Sequence, residues 1–297
     1  MLKNNRVYIT TVATLDTEVF YHWLKYYIDI GVDDIFINLW GDSSEINFEE
    51  IISIMREFGI KPFTDFRDVN VFEENFKTKM FNDAMSTLPE DWWIPVDSDE
   101  FIFFPNDLQS EVQYNIDNDF DYTFGLLVDR ISEDGTLKEL KITDDILSKF
   151  PLVGNVTMEL KGNEVWIDKV SLVRGSSRVI NGIHGIENVN KEKISDVITQ
   201  HHHFKWTSKT IENLKRQYNG LKNNNHGWYT EYKKLLSYFE DNNGIDVKNP
   251  KFMLEEWNNE WSNWEKFKKL DIMLKNSDEF PGKCHIWDIT SRGIREW

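Results

Sequence analysis

The sequence is nearly free of cysteine, with Cys284 standing alone among 297 residues. That excludes an intrachain disulfide framework and a cysteine-built zinc site, and it points to a reducing compartment. Positive charge is also scarce. Lys and Arg number 34 against 51 Asp and Glu, and the net charge of −17 argues against nucleic acid or an anionic lipid surface as a partner. No stretch approaches the roughly 18 apolar residues of a membrane span. Residues 1–6 lead straight into a strand-like run and not into an apolar leader. The expectation is a cytoplasmic protein without a transmembrane segment.

What is present suffices for a large core, since 40% of the residues are hydrophobic and 14% aromatic. Residues 7–12 are β-branched and aromatic, and Asp16 is placed to cap a helix whose Phe20, Trp23, Leu24, Tyr27 and Ile28 repeat at helical spacing before Gly31. The pattern recurs. Strands are expected at 35–39, 60–64 and 92–96, with helices at 48–58 and along Phe76, Met80, Ala84 and Leu88, and Pro95 must lie near a strand end. Such alternation implies an α/β fold with a mostly parallel sheet flanked by helices. Past residue 105 it breaks down: a helix with a loop is expected over 109–121, strands over 122–128, 169–174 and 197–203, and a turn-rich excursion over 131–154. Residues 216–297 read as a helical, tryptophan-rich appendage, and no internal repeat is visible.

Asp97-Ser98-Asp99-Glu100 directly follows the fourth strand, and open α/β sheets bind ligands beyond the carboxyl ends of their strands. Carboxylates suit a hard cation, and Mn²⁺ or Mg²⁺ can neutralise charge developing on a leaving diphosphate. Two acidic residues one apart at a strand end can divide the work, one reaching the ribose and water shell while the other ligates the metal directly. The same tripeptide form recurs at 117–119 and 119–121, as an acidic chain produces by chance, but only the first has apolar flanks on both sides. His201-His202-His203 ends a later strand, and alternation sends His201 and His203 to one face. His203 is the candidate metal ligand and Lys205 a candidate phosphate contact, the alternative being half-buried strand histidines. His184 lies between glycines, where backbone can approach a donor or metal, or simply form a surface turn. Asp129 is a candidate for deprotonating an acceptor hydroxyl, as is Glu100, and a structural ion pair of Asp129 with Arg130 or a lysine is the alternative. For the 12 tryptophans packing is the default explanation.

Taken in order, several of these motifs resemble the family 2-like glycosyltransferases of the GT-A fold, a group also similar to glycosyltransferase family 92. The resemblance is carried by residues 18–27 with 31–37, by 92–102, by Asp129-Arg130 with Asp134-Gly135, and by 203–208, and it covers about residues 6 to 220. It implies a nucleotide-sugar-binding half (6–100) and an acceptor half (101–215) within one domain over 1–215. It also implies that Thr11 and Asp16 or Glu18 hold nucleobase and ribose. Asp97 then lies near ribose and metal, and Asp99 on the metal. The family's Asn-Glu after the first strand is here Asp16-Thr17-Glu18. The activity implied is transfer of a hexose or deoxyhexose from a UDP-, GDP- or dTDP-sugar to a saccharide hydroxyl, with inversion favoured. Two alternatives stay open. A nucleotidyltransferase would use the same carboxylates, although Thr10-Thr11-Val12-Ala13-Thr14-Leu15 is not the glycine-rich basic loop such enzymes use. A non-catalytic carbohydrate-binding or scaffold protein would keep the fold without turnover.

Overall fold

The structure, a computed structural model, describes residues 5–13, 16–41, 48–68, 74–161, 168–221 and 227–257. Cys284, the polar break at 223–226 and most of the tryptophan-rich tail lie outside the described residues. In chain order the elements are β1 (Val7–Ala13), α1 (Thr17–Asp29), β2 (Asp34–Gly41), α2 (Phe48–Glu57), β3 (Pro62–Asp68), α3 (Glu74–Met85), β4 (Trp92–Pro95), β5 (Glu100–Phe103), α4 (Leu108–Asp117) and β6 (Tyr122–Ile131). There follow α5 (Ile146–Lys149), β7 (Leu152–Gly154), α6 (Val156–Lys161), β8 (Asp168–Arg174), β9 (Val179–Ile180), β10 (Gly185–Ile186), β11 (Ile194–His203), α7 (Thr210–Leu221), α8 (Gly227–Asp241) and β12 (Glu255–Glu256). They form two compact units, Met1–Leu126 with Lys169–His201, and Leu127–Asp168 with His202–Trp297.

The first unit is the α/β half. β1 runs parallel to β2 and β4, β2 runs parallel to β3, and β8 then returns antiparallel to β4. The resulting central sheet, mostly parallel and flanked by helices, is a Rossmann-like arrangement. Pro95 is the last residue of β4, where its missing N–H costs no ladder bond. Aromatic side chains fill the sheet surface: Trp93 lies 5.3 Å from Tyr8 and 4.9 Å from Phe36, ring centre to ring centre. In α1 the Asp16 side chain accepts from Val19 N at 3.1 Å, as expected of a cap. The helix buries Phe20, Trp23, Leu24 and Tyr27, each side chain contributing about 1.5–3 kcal/mol. Ile28, expected in the same stripe, is 41% exposed, because at the far edge of the stripe the helix has already turned it away from the core.

Two tyrosines of α1 hold the strand that carries Glu100. Tyr26 Oη donates to Ile102 O at 2.6 Å, and Tyr27 Oη donates to Glu100 O at 3.1 Å while accepting from Ile102 N at 3.0 Å. The adjacent pair thus fixes β5 in register.

In the second unit the end of β6 pairs antiparallel with β7, and β12 pairs with β7. Helices α7 and α8 contribute Leu214, Leu235 and Phe239 to a cluster with Ile131, Val156, Trp206, Ile245 and Phe252. The turn signal at Asp134-Gly135 has a packing reason. Gly135 sits at φ +74°, and a Cβ there would come 1.9 Å from the Ile245 carbonyl oxygen.

Candidate active site

Where β4 ends, Val96 N donates to Thr10 O at 3.1 Å, and the chain turns at once, with Glu100 N donating to Asp97 O at 3.0 Å. This turn leaves Asp97, Ser98 and Asp99 half-buried and swings Glu100 inward to 2% exposure. Two lysines meet it. Lys77 on α3 pairs with Asp97 Oδ1, and Lys169 at the start of β8 lies 3.2 Å from Asp97 Oδ2 and 2.9 Å from Glu100 Oε1. Burial would raise the Asp97 pKa, but the Lys169 and Lys77 ammoniums outweigh it and hold the carboxyl well below the usual range. Burial likewise pulls on Lys169, and Asp97 with Glu100 reverses the effect and raises it. Asp97 and Lys169 are therefore both charged at neutral pH.

Asp99 and Glu100 bring carboxylate oxygens within 4.8 Å of one another, a span that one cation can close. A set of carboxylate oxygens is what a hard divalent ion takes. Asp97 differs from them, since both its oxygens already face ammonium groups.

Behind Glu100 lies a buried polar column. Glu100 Oε2 is 3.5 Å from His201 Nδ1, His201 Nε2 is 2.7 Å from Ser171 Oγ, and Ser171 in turn bonds Thr199. Burial lowers the His201 pKa against the pull of Glu100, so the ring is neutral. At their 3.5 Å separation Glu100 Oε2 and His201 Nδ1 are both buried without a hydrogen-bond partner. Gly125 on β6 makes room: a Cβ there would stand 2.2 Å from Thr199 Oγ1, 2.7 Å from His201 Cδ2 and 2.8 Å from Ser171 Oγ.

Thr11 and Asn38 occupy neighbouring strands, both wholly buried. Asn38 Nδ2 donates to Thr11 O at 3.2 Å, whereas Thr11 Oγ1 and Asn38 Oδ1 are buried without a hydrogen-bond partner. Orphaned buried polar atoms need a reason, and a ligand is one. Asp16 spends an oxygen on the α1 cap, and Glu18 accepts from Thr17 Oγ1 at 3.3 Å. His184 is half-buried and follows three consecutive residues in the left-handed region, Asn181 at φ 52°, Gly182 at 62° and Ile183 at 74°. Asn82 pins the base of this loop by accepting from Val179 N and donating to Val179 O, each at 2.9 Å.

In the second unit, Asp129 is 2% exposed. Its carboxylate accepts from Thr157 N and Thr157 Oγ1, each at 2.5 Å, and from Trp206 Nε1 at 2.8 Å, and it lies 3.3 Å from His203 Nδ1. Burial works to raise its pKa, but His203 and Thr157 win and lower it. Arg130, the next residue along β6, points the other way, to His202 Nδ1 at 3.2 Å and to carbonyl oxygens. Strand alternation therefore rules out the Asp129–Arg130 ion pair offered by the sequence. Lys205 sits with its ammonium 5.8 Å from the centre of the Trp206 ring.

Of the expected site residues, Thr11, Asp16, Glu18, Asp97, Asp99, Glu100 and His184 belong to the first unit, and Asp129, His203 and Lys205 to the second. Sequence reasoning missed Lys77, Lys169, Ser171 and Asn38. Asn38 had a signal, as a lone amide inside the apolar run Ile35-Phe36-Ile37-Asn38-Leu39.

No protein-family model matches the chain, and no curated protein does. Among solved structures, one described as a glucose-1-phosphate thymidylyltransferase from Bacillus anthracis, in complex with sucrose, aligns at 11% identity and a TM-score of 0.29 over 47% of this chain. The aligned part spans 62% of that protein's length. Residues 1–349 of S. aureus TarS align at 12% identity and a TM-score of 0.32, over 83% of this chain and 76% of that one. Among the described residues no helix is long and apolar enough to cross a membrane.

Proposed function

We propose that the protein is a metal-dependent glycosyltransferase that moves a hexose or deoxyhexose from a UDP-, GDP- or dTDP-sugar to a saccharide hydroxyl with inversion. One observation carries the reading. At the carboxyl end of a parallel strand, a tight turn holds Asp97 against two ammonium groups and brings Asp99 and Glu100 oxygens within 4.8 Å. Mn²⁺ or Mg²⁺ bound there supplies the positive charge that a leaving diphosphate requires. Asp99 is the direct ligand, Glu100 lies beside it, and Asp97 faces the ribose. Thr11, with Asn38 added, presents the unpartnered atoms that a nucleobase satisfies. Asp16 or Glu18 completes the ribose contact, His184 approaches the donor, and Lys205 a phosphate. In this reading residues 6–100 form the donor half, 101–215 the acceptor half and 216–297 an appendage.

His203 is kept as a proposed metal ligand, with Asp129 orienting it. A carboxylate on one imidazole nitrogen fixes the tautomer and leaves ligation to the other, which is the usual support for a metal-binding histidine. Asp129 suits that task better than proton abstraction, because its oxygens are engaged by donors and its pKa is lowered. Glu100, the other candidate base, is tied to Lys169.

Incubation with each nucleotide-sugar and a saccharide panel, with and without Mn²⁺, tests the reading. A free nucleoside diphosphate should appear only with metal, and Asp99→Ala should cut the rate about 100-fold or more. Release of pyrophosphate from a nucleoside triphosphate and a sugar phosphate would instead establish a nucleotidyltransferase.

A further inference from the structure

Arg130 is a wholly buried guanidinium held only by neutral groups. Its Nε donates to Phe150 O at 2.7 Å, Nη2 to Leu147 O at 3.0 Å and Nη1 to His202 Nδ1 at 3.2 Å. Aromatic rings flank it, with Trp257 at 4.8 Å and Phe204 at 5.5 Å from ring centre to Cζ. Among the described residues no carboxylate stands within ion-pair distance, and Asp145 acts on it only at longer range. These contacts use three of the five N–H groups that a guanidinium carries and leave its charge uncompensated. Burial accordingly pulls the Arg130 pKa down to about 9.

The same guanidinium lines a cavity of about 560 Å³ within the second unit. Leu147, Pro151, Leu152 and Trp257 give it apolar walls, Ser148 a hydroxyl, and Glu133 and Glu256 acidic positions. Both glutamates are exposed. The volume lies within the range of small-ligand sites. An oxyanion on Arg130 would supply the missing countercharge and take the two remaining N–H groups in the forked geometry that arginine offers carboxylates and phosphates. A sugar ring presents an apolar face to an indole and hydroxyls to acidic side chains. The two glutamates disfavour a ligand with many negative charges.

We propose that this cavity binds a saccharide bearing one oxyanion group, carboxylate or phosphate, with the anion on Arg130 and the sugar body along Trp257. It rests on the glycosyltransferase reading only in being an acceptor-side subsite, and binding itself is independent of transfer.

Calorimetry on the metal-free full-length protein with glucuronate, glucose 6-phosphate and glucose is the test. The uronate, the phosphosugar or both should bind, and glucose should bind about tenfold more weakly or worse. Arg130→Gln removes a core member and can unfold the chain, so the charge is also countered at the exposed Ser148. Ser148→Asp should weaken acidic-sugar binding at least about tenfold, whereas Ser148→Asn, which loses the same hydrogen bond to Asp145 but adds no charge, should bind as wild type. The inference is overturned if neither acidic sugar binds, if glucose binds as tightly, or if Ser148→Asp binds them as wild type does. Loss of acidic-sugar binding beside intact metal-dependent nucleotide binding would remove this subsite and leave the proposed activity standing.

Discussion

A buried ammonium between two carboxylates is stable only while all three charges remain, and Lys169 holds that position between Asp97 and Glu100. Lys169→Met leaves two carboxylates without their shared countercharge, and urea denaturation should show a loss of about 3–5 kcal/mol. Gly125→Ala drives a methyl into Thr199, His201 and Ser171, and the same measurement should show about 1–3 kcal/mol lost. His201 adds a pH dependence. Its folded pKa is lowered, so the unfolded chain binds the extra proton first, and stability should fall as pH drops below the ordinary histidine range near 6.5. Melting temperatures of metal-free protein should show this slope, and His201→Gln should flatten part of it. The carboxylates were legible in the sequence because they sit beside the strand that positions them. Lys169 was not, being 72 residues from Asp97 and brought to it only by the return of β8 against β4.

Among the elements, α1 does two jobs that mutation separates. Asp16→Asn keeps a good cap and should leave thermal stability unchanged, whereas Asp16→Ala should cost about 1 kcal/mol. If Asp16 also holds the ribose, Asp16→Asn weakens donor binding in calorimetry despite the intact cap. Tyr27→Phe removes the hydroxyl that bridges Glu100 O and Ile102 N, and it should destabilise by about 1–3 kcal/mol. The parallel strands and the helices between them were legible from periodicity, since each buries its apolar stripe locally. Exceptions have local reasons. Ile28 sits at the end of its stripe, and at Asp129 and Arg130 two neighbours of opposite charge suggested a pair that a strand's alternation forbids.

At the scale of the whole molecule, an excess of acid fits a protein that takes up a cation and a nucleotide–metal complex more readily than a polyanion. Linear reading could not find the two compact units, because each is assembled from two separated stretches of chain, and α7 and α8 share a core with Ile131 and Val156. The central claim is metal-dependent binding of a nucleotide-sugar at the turn after β4. Thermal melts with UDP-, GDP- and dTDP-sugars, each with and without Mn²⁺, test it for wild type and Asp99→Ala. The account predicts that at about 100 times the dissociation constant one nucleotide class stabilises the wild type by about 2.7 kcal/mol, only with Mn²⁺, and that Asp99→Ala loses the effect. Equal stabilisation without metal, or an unchanged response in Asp99→Ala, would contradict it.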